Sequence, residues 1–143
     1  MRSGKNTKSA RESAGILTLN RLLTIRARRE QSLRRSIAEH CNEQLELEAR
    51  IERSRTERQK LCQQLRELNQ WCGLLAPREF SEQKNQLHLI YQQERSQQAQ
   101  LTQYLEENKQ LAIKVEALRT LLQRNLLEQE KLRILIKDES SRY

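Results

Sequence analysis

Arg26, Arg28, Arg29, Arg34 and Arg35 put five guanidinium groups within ten residues. A guanidinium is planar and permanently charged, and its fork of donors holds a carboxylate through two parallel hydrogen bonds. Arginine at this density suits an acidic protein surface. It is also found on helix faces that do nothing but contact water. A second group, Trp71, Leu74, Leu75 and Phe80, brackets Gly73 and Pro77. Large apolar side chains at a chain reversal either staple the reversal or form an exposed tip that a partner covers, and aromatic anchors favour the second use. Tyr91 lies beside the apolar seam near that tip and extends the patch.

Catalytic chemistry has no comparable footing. The chain contains neither GxxxxGK[ST] nor HExxH, and His40 and His88 are isolated from each other and from any cysteine. His40 falls on the apolar seam described below and is expected as a structural imidazole; His88 lies beside the seam in solvent. Cys41, Cys62 and Cys72 form no CxxC and have no zinc spacing, so reduced thiols are expected. Paired carboxylates need a walled pocket that separates their pKa values, and nothing here builds one. The residues therefore point to a protein that is not an enzyme and needs no metal or cofactor.

The elements that carry these groups follow from composition. Of 143 residues, 36% are apolar, 32% charged and 3% aromatic, with three Gly and one Pro. So few aromatics cannot fill a globular core, and so few turn residues cannot close a β-sandwich or a βαβ fold. Leu, Glu, Gln, Arg and Lys dominate, as in long helices. Residues 1–14 are polar and basic without apolar periodicity and read as a disordered leader. Between Ile16 and Cys72, and again from Arg78 onward, there is neither Gly nor Pro. The expected organisation is one coiled-coil domain over 15–143, with a helix over 15–73, a turn over 74–78 and a helix over 79–138. Gly73 suits the residue that ends a helix. Helix two starts either with Ser81 as its cap or with Pro77 at its first position.

Both helices carry an apolar 3-4 alternation. In the first it runs Ile16, Leu19, Leu23 and onward through Leu33, Ile37, Leu47, Ile51, Leu61, Leu65 and Leu68; in the second it runs from Leu87 and Ile90 to Leu132 and Ile136. A seven-residue repeat makes helices supercoil left-handedly about a partner. In helix one the apolar pairs alternate with polar pairs, Arg26/Glu30, His40/Gln44 and Ser54/Arg58. Buried polar layers fix register and partner. A short turn favours antiparallel neighbours, so the fold class is an all-α antiparallel two-helix hairpin. With the turn centred near residue 77, facing residue numbers sum to about 154. Leu33 then lies near Leu122, Ile51 near Tyr104, and Arg58 near Glu94 and Gln97.

Charge is distributed unevenly along this hairpin. Residues 1–35 hold ten basic and two acidic residues, whereas 36–143 hold 17 of each. Folding back brings the basic segment beside Lys131, Arg133 and Lys137, giving a positive end that seeks an acidic partner, a phosphate backbone or an anionic membrane. No stretch approaches the roughly 20 apolar residues of a membrane span, and no signal peptide is legible. An intramolecular hairpin is expected to be monomeric. Nucleic acid is disfavoured because Leu22, Leu23 and Ile25 put apolar bulk where a basic zipper would read bases.

The stretch Leu22-Leu23-Thr24-Ile25-Arg26-Ala27-Arg28-Arg29-Glu30-Gln31-Ser32-Leu33-Arg34 resembles the start of type III secretion stalk proteins, the SctO/YscO group of injectisomes, which are related to flagellar FliJ. Leu68-Asn69-Gln70-Trp71-Cys72-Gly73, followed by Leu74-Leu75, resembles the hairpin turn of that group, and the resemblance covers roughly residues 20–140. It implies a cytoplasmic, non-catalytic stalk at the inner-membrane base of a secretion apparatus. The end with both termini would enter the pore of a hexameric ATPase, using Arg26, Arg28, Arg29, Arg34, Arg35, Lys131, Arg133 and Lys137. The turn end, with Trp71, Leu74, Leu75, Phe80 and Tyr91, would address the export gate or export chaperones. The competing expectation is a nucleic-acid- or membrane-associated adaptor using the basic N-terminal segment.

Overall fold

The computed structural model describes the backbone of residues 2–71 and 77–142 and the side chains of 14–70 and 77–142. The fold is all-α. Helix α1 runs Arg2–Trp71 and helix α2 runs Pro77–Ser141, and the two pack against each other as a hairpin. Long runs of Leu, Arg, Glu, Gln and Lys lose little side-chain freedom in a helix, and no Pro lies inside either helix beyond the first position of α2. Of the two possible starts for α2, Pro77 is the one observed. Its missing N–H costs nothing at a first position, and Glu79 in the first turn complements the positive helix end. Ser81 consequently lies inside the helix and caps nothing. At the other end α2 continues past the expected 138 to Ser141, where the Ser141 hydroxyl donates to the Asp138 carbonyl at 3.0 Å.

Residues 2–14 differ from expectation. The stretch expected as a disordered leader is the first part of α1. It lacks an apolar face, but it contains one Gly and no Pro among Arg, Lys, Ala, Ser and Glu, none of which forbids helix once a longer helix follows it. The expected turn residues 74–76, together with Cys72 and Gly73, lie outside the described residues.

The chain divides into two compact units. A terminal unit comprises Met1–Cys41 with Lys114–Tyr143, and a central unit comprises Asn42–Ile113. In the central unit Leu47, Ile51 and Leu65 of α1 and Leu101 of α2 are buried. Between these aliphatic layers Ser54 donates to Gln97 Oε1 at 3.1 Å, and Arg58 Nε bonds Glu94 Oε1 at 3.0 Å. The expected pairing of these polar layers is therefore observed, and with it the antiparallel register. Nearer the connection, buried Gln83 donates to the Leu68 carbonyl at 2.8 Å. In the terminal unit Leu33 and Val115 are buried, as are two amides, Asn125 and Gln129. Along the whole alternation, Arg26 is the one described position that is exposed. Tyr104, on the seam, is half-buried, and its hydroxyl accepts from Gln100 at 2.7 Å.

Gly15 offers a check on the helical start of α1. It lies within the helix, and a Cβ built there meets nothing within 4 Å. Gly15→Ala should raise stability by about 0.5–1 kcal/mol, because alanine loses less conformational freedom in a helix than glycine. Thermal melting followed by circular dichroism reads the shift. No change would mean that the helix does not run through residue 15.

Candidate functional site

The terminal unit gathers most of the positive charge. Residues 1–41 and 114–143 hold 17 basic and 8 acidic residues, an excess of nine, whereas 42–113 hold 10 and 11. Within that unit the expected docking arginines fall into two groups by what they touch.

Arg26, Arg34 and Arg133 are tied into the fold. Arg26 pairs with Glu128 across the helices. Arg34 Nε bonds Glu30 Oε2 at 2.8 Å, one turn along α1. Glu30 is also bonded from α2, where Gln129 Nε2 donates to its Oε1 at 2.9 Å. Gln129 is almost completely buried; it further donates to Asn125 Oδ1 at 2.7 Å, and its own Oε1 accepts from Arg133 at 3.3 Å. The polar pair Arg26/Glu30 thus meets Asn125 and Gln129. The sequence pattern marks all four as seam positions, but it does not say that a glutamine would be the hub.

Arg28, Arg29, Arg35, Lys131 and Lys137 are exposed and form no ion pair among the described residues. For two of them the spacing explains why. Arg28 and Arg35 stand seven residues apart at the heptad position opposite the seam, where α2 does not reach. These are the groups with donors to spare for an acidic surface. The division into tied and unpaired cations was not legible from the cluster's composition.

The residues expected at the tip are only partly within reach. Leu74 and Leu75 lie outside the described residues, as does the side chain of Trp71. Phe80 and Tyr91 are both about half exposed on α2. Nearby, an open groove is lined by Glu67, Leu68, Glu79, Glu82, Gln83 and Ile90. His40 is half-buried on the seam, and His88 is exposed with its ring 3.3 Å from the Gln92 amide. Cys41 and Cys62 are half-buried free thiols. Among the described residues no three His, Cys, Asp or Glu side chains are grouped to hold a metal, and no helix is long and apolar enough to cross a membrane.

No family model matches the chain, nor does any curated protein or solved structure.

The Glu30 layer has a consequence for pH. The hydrogen bond from Arg34 holds the Glu30 carboxyl below its ordinary value of 4.5, and the bond from Gln129 and the charges of Arg34 and Arg133 act in the same direction, against the opposing effect of desolvation. A carboxyl lowered in the folded state contributes stability that is fully present above its unfolded value. That contribution is lost as pH falls through the folded value. Acidification from neutrality to below pH 4.5 should therefore lower the melting temperature of the wild-type chain more than that of Glu30→Gln. Equal losses would show that the network does not stabilise the carboxylate.

Proposed function

We propose that the chain is a non-catalytic central stalk of a type III secretion export apparatus. In this reading the terminal unit enters the pore of a hexameric secretion ATPase and promotes its assembly or activity. The residues around the inter-helix connection, with Phe80 and Tyr91 as the exposed aromatics, address the inner-membrane export gate and export chaperones. The protein then works in the cytoplasm at the membrane base of the apparatus. The observation that supports this reading most is the unpaired set Arg28, Arg29, Arg35, Lys131 and Lys137. These residues belong to both helices of one unit, whose charge excess is nine, and that unit also contains the segment resembling the stalk family.

The physical logic of the role is simple. A two-helix coiled coil has no internal symmetry, so inside a six-fold ring it meets six equivalent subunits unequally. Arginines held on a stiff helix can bond carboxylates of one or two subunits at a time and so bias their conformations. Long-range attraction between a basic shaft and an acidic pore also speeds insertion. Contacts of this kind weaken with salt, since the Debye length falls from about 30 Å at 0.01 M to about 8 Å at 0.15 M.

Mixing the full chain with the cognate ATPase tests the proposal. Wild type should bind and stimulate ATP hydrolysis at low salt, with the effect fading as salt rises. Arg28→Glu, Arg29→Glu and Arg35→Glu combined should abolish it without lowering the melting temperature, since none of the three is tied into the fold. Absence of binding, or stimulation that survives the triple change, would overturn the stalk reading. Gel shift and liposome sedimentation with the same variants address the alternative. Retention on nucleic acid or on anionic vesicles, without ATPase binding, would replace the stalk with an adaptor for those surfaces.

A further inference from the structure

In the terminal unit the seam of α2 faces α1, which leaves the opposite face of α2 to solvent. That face is mixed: Gln123 and Glu130, the latter paired with Arg133, stand beside exposed aliphatic residues. Leu127 and Ile134 stand seven residues apart at the heptad position opposite the seam, and Leu121 and Leu135 stand fourteen apart in the row that flanks the seam, with Glu128, which is paired with Arg26, between them. They are 64, 52, 43 and 49% exposed, respectively. Arg124 and Lys131 occupy the strip between these two rows. Both are exposed, and neither forms an ion pair among the described residues.

Two features identify the occupant of this face. The first is spacing. Apolar residues repeating at seven and fourteen stay in line along a supercoiled helix, which is what a further helix lying alongside requires. The second is charge. A second copy docked through the same face would set Arg124 and Lys131 against their own equivalents, and like charges meeting across an interface are costly. A helix that pairs its own apolar positions with carboxylates converts that repulsion into attraction. The aliphatic stems of Arg124 and Lys131 complete the apolar surface beneath it.

We propose that the outer face of α2 over residues 121–135 is a docking surface for an acidic amphipathic helix of a partner protein. The proposal does not depend on the stalk reading: it concerns the face of α2 turned away from α1, and it holds or fails without an ATPase.

Fluorescence anisotropy on the full chain tests it. The probe is a dye-labelled designed helix about three heptads long, with Leu at its a and d positions and Glu flanking them. One control probe carries Lys in place of Glu, and another carries Ser in place of Leu. The Glu/Leu probe should bind wild type in preference to both controls. Leu127→Ser with Ile134→Ser should weaken that binding about tenfold or more. Arg124→Glu with Lys131→Glu should shift preference to the Lys probe. All four side chains are exposed, so the variants should melt as wild type does by circular dichroism. Failure of the Glu/Leu probe to bind, equal binding of the Ser control, or binding unchanged in both variants would overturn the proposal. So would a finding that the Leu127→Ser/Ile134→Ser change abolishes sedimentation with phosphatidylserine vesicles, or abolishes a dimer seen by ultracentrifugation, while leaving the probe's binding intact. Those results would assign the face to lipid or to a second copy.

Discussion

A heptad seam is self-similar, and that is the constraint on which this molecule depends. Two helices of 70 and 65 residues could slide past one another by whole heptads and still keep seam against seam. Apolar burial alone, at about 25 cal/mol per Å², distinguishes such offsets poorly. Buried polar groups remove the freedom. Ser54 has its partner in Gln97, Arg58 in Glu94, Gln83 in the Leu68 carbonyl and Gln129 in Glu30. A slip of one heptad would set these groups against aliphatic side chains, and each buried polar group left without a partner costs about 1–3 kcal/mol. Several such losses together are comparable with the whole stability of a small domain. The polar layers contribute less to holding the helices together than to selecting one alignment of them.

The same layers determine which charges remain for other uses. In the terminal unit Gln129 reaches across to Glu30, and Glu30 in turn engages Arg34, while Arg133 donates back to Gln129. Arg26 is committed to Glu128. Half of the buried residues named in this unit are therefore amides, and three of its basic residues serve the scaffold. What remains at the surface is a rigidly presented set of cations on α1 and a mixed aliphatic and basic face on α2. A thin seam leaves most of each helix circumference exposed, so a protein of this kind gives up a deep core and gains several independent faces.

The fold was legible because it follows from period. Every seam position in α2 is buried or half-buried, as is every described one in α1 except Arg26, and the Arg58–Glu94 contact follows from placing the turn near residue 77. Pattern reading fell short where the signal was not periodic. Residues 2–14 have no apolar face, so nothing in them announces a helix that simply extends one already nucleated. Gln83 continues the seam toward the connection, but a glutamine ahead of the first leucine does not look like a core residue. The five-arginine cluster was visible by composition, yet its split into tied and unpaired members depends on Glu30, Glu128 and Gln129, two of them on the other helix. The outer face of α2 is not legible in the sequence because Leu127 and Ile134 look like incidental apolar residues until the seam has claimed its own. At the tip, Trp71, Leu74 and Leu75 stand out by residue type, and Phe80 and Tyr91 are the members whose exposure the structure describes.

Register within a single chain can be measured directly by crosslinking. With Cys41, Cys62 and Cys72 replaced by serine, Arg58→Cys and Glu94→Cys are introduced together and treated with a short thiol-to-thiol crosslinker. A second pair, Gln44→Cys with Glu94→Cys, serves as an alignment two heptads out of register. The account predicts efficient crosslinking of the 58/94 pair within monomers, independent of protein concentration, and little crosslinking of the 44/94 pair. Crosslinks that form only between chains, or that form equally well in both pairs, would contradict it.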